Sequence, residues 1–205
     1  MYLVKTPSIL KPLAKDLIWK IDTTDNVIYL TFDDGPTPGV TEKVLDILEQ
    51  HNAKATFFCL GKNAEANPEL FSQLTLSGHS VGSHSYSHQD GWKTGTYSYV
   101  KDALKGNRKI NSTIFRPPYG HITLAQSNAL KKRFKIVMWD VISGDFDKNI
   151  TSEKCLGNVI NNTESGSIVV FHDSLKAAEK MLNVLPQFLK HFRELGFRFD
   201  ALKFD

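Results

Sequence analysis

Cysteine is scarce: Cys59 and Cys155 are the only two in 205 residues, far apart and each in an apolar setting. That leaves at most one disulfide and no Cys-x-x-Cys spacing for a thiolate metal site or a redox pair; both read as buried thiols, with a single disulfide left open. Long apolar runs are missing too, which excludes a membrane-spanning helix. No block of like charge occurs. With 25 Lys and Arg against 22 Asp and Glu, the net charge of +3 is small and dispersed, and nucleic-acid binding gains no support from it. The chain opens Met1-Tyr2-Leu3-Val4-Lys5, with further lysines at Lys11, Lys15 and Lys20, and it lacks the apolar stretch and small-residue cleavage site of a secretory signal. The expectation is a cytoplasmic protein without a membrane partner, with export left open.

What is present suits one enzyme domain. A hydrophobic content of 41% and a charged content of 23% over this length allow a sizeable core and require no second domain. Short apolar runs expected as strands are Val27 to Phe32, Ala55 to Leu60, Ser80 to Ser83, Thr113 to Phe115, Lys135 to Trp139, Ser167 to Phe171 and Phe197 to Phe199. Between them, helical periodicity marks Thr41 to His51, Pro68 to Leu76, Tyr97 to Ile110, Leu124 to Lys132, Ser152 to Ile160 and Ala177 to Leu195. Thr37 followed by Pro38 suits a helix N-cap with proline at the first helical position, and Val44, Leu45 and Leu48 then share a face. Strands alternating with helices imply an α/β parallel sheet or barrel. Residues 1–25 are expected as an N-terminal extension packed on a domain spanning 26–205.

The chemistry-bearing residues lie where expected strands end. Thr31-Phe32-Asp33-Asp34-Gly35-Pro36 alone is turn chemistry, and His84-Ser85-Tyr86-Ser87-His88 alone lacks the intervening Glu of a zinc-protease helix. Together they offer two carboxylates and two imidazoles, enough to hold one divalent cation and keep a carboxylate free beside it. Three further segments follow strands: Phe115-Arg116-Pro117-Pro118-Tyr119-Gly120, Met138-Trp139-Asp140 through Asp145-Phe146, and Val169-Val170-Phe171-His172-Asp173. Parallel barrels build their sites on this rim.

Taken in order from about Asn26 to the C-terminus, these segments resemble the polysaccharide deacetylases, the family-4 carbohydrate esterases. The resemblance implies a distorted (β/α)7 barrel in a single domain and a hydrolase that removes acetyl groups from N-acetylglucosamine-type residues of peptidoglycan, chitin-like or related glycans. It implies one divalent cation, with zinc the expected ion, held by Asp34, His84 and His88, and Asp33 as general base. Two adjacent side chains of a strand point to opposite sides, so the strand must bend for both carboxylates to serve, and Gly35-Pro36 is expected to supply the bend. The resemblance further implies that Arg116 pairs with Asp33, that the Tyr119 amide joins the oxyanion site, and that His172 acts as general acid.

One departure stands out. The family's fourth motif has an Asp at the position of Ile142 and Trp or Tyr at Phe146, so either Asp145 or Asp140 tunes His172, or the acid is tuned differently. His51, His79, His121 and His191 are expected in packing or surface positions, Trp139 and Phe171 in the barrel or pocket wall with the core reading favoured for both, and Tyr119 and Phe146 against a sugar face. Two alternatives stay open: a small-amide or O-acetyl ester hydrolase, and a catalytically silent glycan-binding barrel. The expected partner is an acetylated glycan or oligosaccharide; the oligomeric state is not readable.

Overall fold

The computed structural model describes residues 2–7 and 16–204. Met1 and residues 8–15 of the expected extension lie outside them. In chain order the elements are β1 (Leu17–Ile18), β2 (Val27–Asp33), α1 (Thr41–Gln50), β3 (Ala55–Cys59), α2 (Gly61–Ala66), α3 (Pro68–Leu76), β4 (Ser80–Ser83), α4 (Thr96–Ile110) and β5 (Ile114–Phe115). Then follow α5 (Leu124–Leu130), β6 (Lys135–Val137), β7 (Val141–Ile142), α6 (Ser152–Ile160), β8 (Ile168–His172), α7 (Ala178–Glu194) and β9 (Arg198–Phe199).

All named strand pairs are parallel, in the order β1-β6-β5-β4-β3-β2-β8-β7, with β9 joining the start of β2. Each central strand is covered on both faces and therefore reads as an apolar run without alternation. All five residues of β3 are buried, as are six of the seven in β2. The helices close the outer face. In α7 the buried set Met181, Val184, Leu185, Phe188, Leu189 and Phe192 follows the helical period and packs on Leu30, Phe32 and Phe171. Truncating a fully buried ring such as Phe188 to Ala would cost about 3–5 kcal/mol. The sheet curls into a distorted (β/α)7 barrel, and its C-terminal rim gathers the loops that carry chemistry.

Two strands were not expected. β1 and β7 have two residues each, too few for a periodic pattern, and they exist because neighbours pair with them. Leu17 and Ile18 lie opposite Ile136 and Val137, while residue 5 bridges Val141 from the other side. The short α2 was also unexpected. β6 stops at Val137 and not Trp139, because the carbonyls of Val137 and Met138 turn inward to accept from Arg116. Thr37 is not the N-cap of α1, which starts at Thr41. Its carbonyl instead accepts the Thr41 amide, while the Thr37 amide donates to Thr41 Oγ1 at 2.7 Å. Val44 and Leu48 are buried as expected, and Leu45 is only half-buried. Cys59 and Cys155 are free, buried thiols. Among the described residues no helix is long and apolar enough to cross a membrane.

Candidate active site

β2 and β8 run side by side in a register that sets Asp33 opposite His172, the last residue of each strand. The bend that follows occurs at Asp34 itself, which adopts a left-handed φ of 83°, and not only at Gly35-Pro36. That turn brings both carboxylates to the same rim. It is held from below by Asp173, whose Oδ1 accepts the Gly35 amide at 3.0 Å and whose Oδ2 accepts Thr41 Oγ1 at 2.6 Å. The Asp173 amide in turn donates to the Asp33 carbonyl at 3.1 Å. Asp173 is fully buried, and burial pushes its carboxyl up to about 7. A Cβ at Gly35 would overlap the Asp173 carboxylate, so only glycine fits there. Sequence reasoning missed Asp173. The available signal was its place next to His172, where alternation sends the two side chains to opposite sides.

His84 follows β4 and is 2% exposed. Its Nδ1 lies 2.8 Å from the Arg116 carbonyl, which can only accept, so Nδ1 carries the proton and Nε2 is a free donor of its lone pair. Burial pulls the His84 imidazole down to about 4, against the opposing pull of Asp33, and keeps it neutral. His88 comes round on a turn and not a helix: Ser85 and His88 have φ of 67° and 63°. Asp102 of α4 fastens that turn, accepting the amides of Tyr86 and Ser87 and the Ser87 hydroxyl at 2.8 Å.

Asp34 Oδ1 is 3.1 Å from His88 Nε2 and 3.8 Å from His84 Nε2. One donor atom from each of Asp34, His84 and His88 lies within 4.8 Å of the others. Asp34 Oδ1 is buried, yet no hydrogen bond of good geometry reaches it among the described residues. Burial opposes ionisation of Asp34, but His88, His172 and His84 outweigh it and hold the carboxyl below its usual range. Two imidazole nitrogens and an orphaned carboxylate oxygen, all facing one point, fit a borderline divalent cation.

Arg116, beyond β5, is fully buried and spends its donors inside the barrel. Nη1 bonds Asp33 Oδ1 and Thr31 Oγ1, both at 2.7 Å, and Nη2 bonds the Met138 carbonyl at 2.8 Å. The guanidinium also lies 4.0 Å from the Phe58 ring centroid. Asp33 Oδ2 is left facing the site, 4.0 Å from His84 Nε2.

Across the rim, Asp145 accepts twice from His172: the backbone amide at 2.7 Å and Nδ1 at 2.8 Å. Burial alone would lower the His172 imidazole, but the charge and hydrogen bond of fully buried Asp145 outweigh it, aided by Asp34 and Asp33, and push it up to about 9. The question the sequence left open has a geometric answer. Asp140 faces elsewhere, accepting Ser167 Oγ at 2.6 Å with Lys5 Nζ at 3.2 Å.

A cavity of about 390 Å³ joins these groups, lined by Asp33, Asp34, His84, His88 and His172, with Tyr119, His121, Trp139, Phe146, Tyr2 and Lys176 on its walls. Tyr119 has the left-handed conformation (φ 60°, ψ 4°) and is 57% exposed. Phe171 is core, as favoured, while Trp139, for which the core was also favoured, lines the cavity wall together with Phe146. His121 corrects an expectation: placed by sequence in packing or surface, it lines the cavity. His79 is a packing residue, its Nδ1 accepting the Ala55 amide at 3.2 Å.

A curled parallel barrel with carboxylates and imidazoles gathered on its C-terminal rim is the architecture of the family-4 carbohydrate esterases. The chain belongs to the polysaccharide deacetylase family, whose model matches residues 20–134. Among curated relatives, a peptidoglycan-N-acetylglucosamine deacetylase of Bacillus cereus is 34% identical over 183 residues, which is 85% of this chain and 66% of that protein. A second protein of the same description and organism is 31% identical over 188 residues, 88% of each. The crystal structure of the Bc1960 peptidoglycan N-acetylglucosamine deacetylase superposes with a TM-score of 0.87 at 32% identity, covering 96% of this chain and 95% of that one.

Proposed function

We propose that this protein is a divalent-metal-dependent N-deacetylase that hydrolyses the acetamide of N-acetylglucosamine-type residues in a glycan and releases acetate. The observation that carries the reading is the separation of two carboxylates at one turn. Asp34 faces His84 and His88. Asp33 is held apart by Arg116 at 2.7 Å.

Asp34, His84 and His88 would hold the cation, zinc by donor type, which when bound supplies Lewis acidity to water and to the acetamide carbonyl. Arg116 holds Asp33 turned so that Oδ2 faces the cavity, where it takes the proton of the attacking water as general base. The Tyr119 amide donates to the oxygen that gains charge; its left-handed turn after Pro117-Pro118 supports this assignment. His172, kept protonated by Asp145, gives its proton to the sugar nitrogen as the carbon–nitrogen bond breaks. An amine leaves poorly unless protonated, so a histidine raised well above neutrality suits an amide substrate better than an ester.

The barrel that merely binds glycan is disfavoured, since binding needs neither a buried Arg–Asp pair nor an orphaned carboxylate oxygen. The substrate named in the relatives' descriptions, peptidoglycan, is the first to try. The test is acetate release from matched N-acetylated and O-acetylated glycans, with primary amine counted alongside. Amine and acetate should appear in equal amounts from the N-acetylated polymer. Acetate from the O-acetylated substrates alone would replace this reading with the esterase one.

A further inference from the structure

We propose that Trp92, seated on His121 beside the catalytic cavity, is the stacking platform for a neighbouring pyranose of the same glycan chain. This rests on the glycan reading above and adds a second sugar subsite. A cavity of about 390 Å³ lies near the lower end of the ~300–1,000 Å³ range of ligand pockets, so the rest of a polymer must be held outside it.

A path of rings leads out from the metal-ligand set. The Tyr119 ring lies 4.5 Å from His88 and 5.8 Å from His121, and the Trp92 indole stacks on His121 at 3.6 Å and 7°. With one face so covered, Trp92 is still 67% exposed, an unusual state for the largest apolar side chain. The loop that carries it is built rather than loose. Asp90 Oδ1 accepts both the Trp92 amide and His121 Nδ1, each at 2.9 Å. Gln126, fully buried, donates to the carbonyls of Gly91 at 2.8 Å and Thr94 at 3.0 Å. Gly91 lies so close to the His121 carbonyl that a Cβ would overlap it.

A buried polar side chain and a glycine without room for substitution thus fix an exposed indole against His121, a residue of the cavity wall. The C–H face of a pyranose is apolar and matches an open aromatic face, and a planar platform places the chain without reading its substituents. Shape and position, and not charge, are what Trp92 offers.

The test compares Trp92→Ala and Trp92→Phe with the parent on an N-acetylglucosamine hexamer and on an aryl acetate too small to reach the platform. For the hexamer, KM should rise about tenfold in Trp92→Ala and less in Trp92→Phe, with kcat within about twofold. The aryl acetate should not distinguish the three. In parallel, the Trp92 indole N–H resonance of metal-free protein should shift when the hexamer is added. A hexamer KM unchanged in Trp92→Ala, or loss shared equally by the aryl acetate, overturns the platform. So does sedimentation showing that Trp92 instead buries itself against a second copy. If the parent hydrolyses no N-acetylated glycan while the indole signal still answers to the hexamer, the platform stands and the deacetylase reading falls.

Discussion

Asp145→Asn isolates the acid step, because it keeps the shape and removes the charge that holds His172 protonated. In the metal-free protein the His172 imidazole is raised from 6.5 to about 9, a difference of about 3 kcal/mol between its two protonation states. A cation bound at Asp34 opposes the imidazolium, so in the loaded enzyme the value lies lower. The amide that replaces the carboxylate still accepts one hydrogen bond but carries no charge, so burial, which favours neutral imidazole, then dominates and the value drops towards or below 6.5.

The sign of the stability effect follows. A folded pKa above the unfolded one stabilises fully below about 6.5, and that contribution disappears as pH rises through about 9. Asp145→Asn should therefore destabilise most at pH near 6 and least above 9. In kinetics, kcat/KM for acetamide hydrolysis should fall at alkaline pH as His172 loses its proton. The variant should move the falling limb acidward by about one pH unit or more, while Asp140→Asn leaves it in place. The measurements are His172 titration by NMR in metal-free protein and acetate release across pH 5 to 10. A falling limb that stays where it was in Asp145→Asn would refute the pairing as the source of the raised His172 pKa.

Asp33→Asn should keep its metal while losing about 10²–10⁴ in kcat, since only the base is removed; Asp34→Asn should lower metal affinity as well, and equal metal loss in both would show the roles misassigned. Asp173→Ala leaves the Gly35 amide and the Thr41 hydroxyl without their buried acceptor, at about 1–3 kcal/mol each, and a chain of this size should then melt several degrees lower. An unchanged melting temperature would show that another acceptor takes over.

The residues that announce themselves in sequence are those at the ends of strands long enough to carry a pattern. β2, β3, β4 and β8 were legible because their apolar runs are bounded by Gly, Pro and Asp, and with them Asp33, Asp34, His84 and His172. β1 and β7 were not, since a pair of residues becomes a strand only when β6 and β8 are already there to pair with it. The same limit governs the site. Whether Asp140 or Asp145 serves His172 depends on how the chain turns after β7, and Gly144 at φ 80° makes that turn. Asp102 and Asp173, which fasten the two turns, look like ordinary acids in sequence. Their roles arise from the amides of Tyr86, Ser87 and Gly35, which only the fold brings to them. His121 likewise becomes a cavity residue through the turn at Tyr119.

The central claim is a catalytic cation held by Asp34, His84 and His88, and it is tested most directly by titrating zinc into chelator-treated protein while following heat and acetate release together. One equivalent per chain should bind and restore hydrolysis of an N-acetylated glycan in step, with both effects lost in His88→Ala although its fold persists by circular dichroism. Full activity in metal-stripped protein, or unchanged binding in His88→Ala, would contradict it.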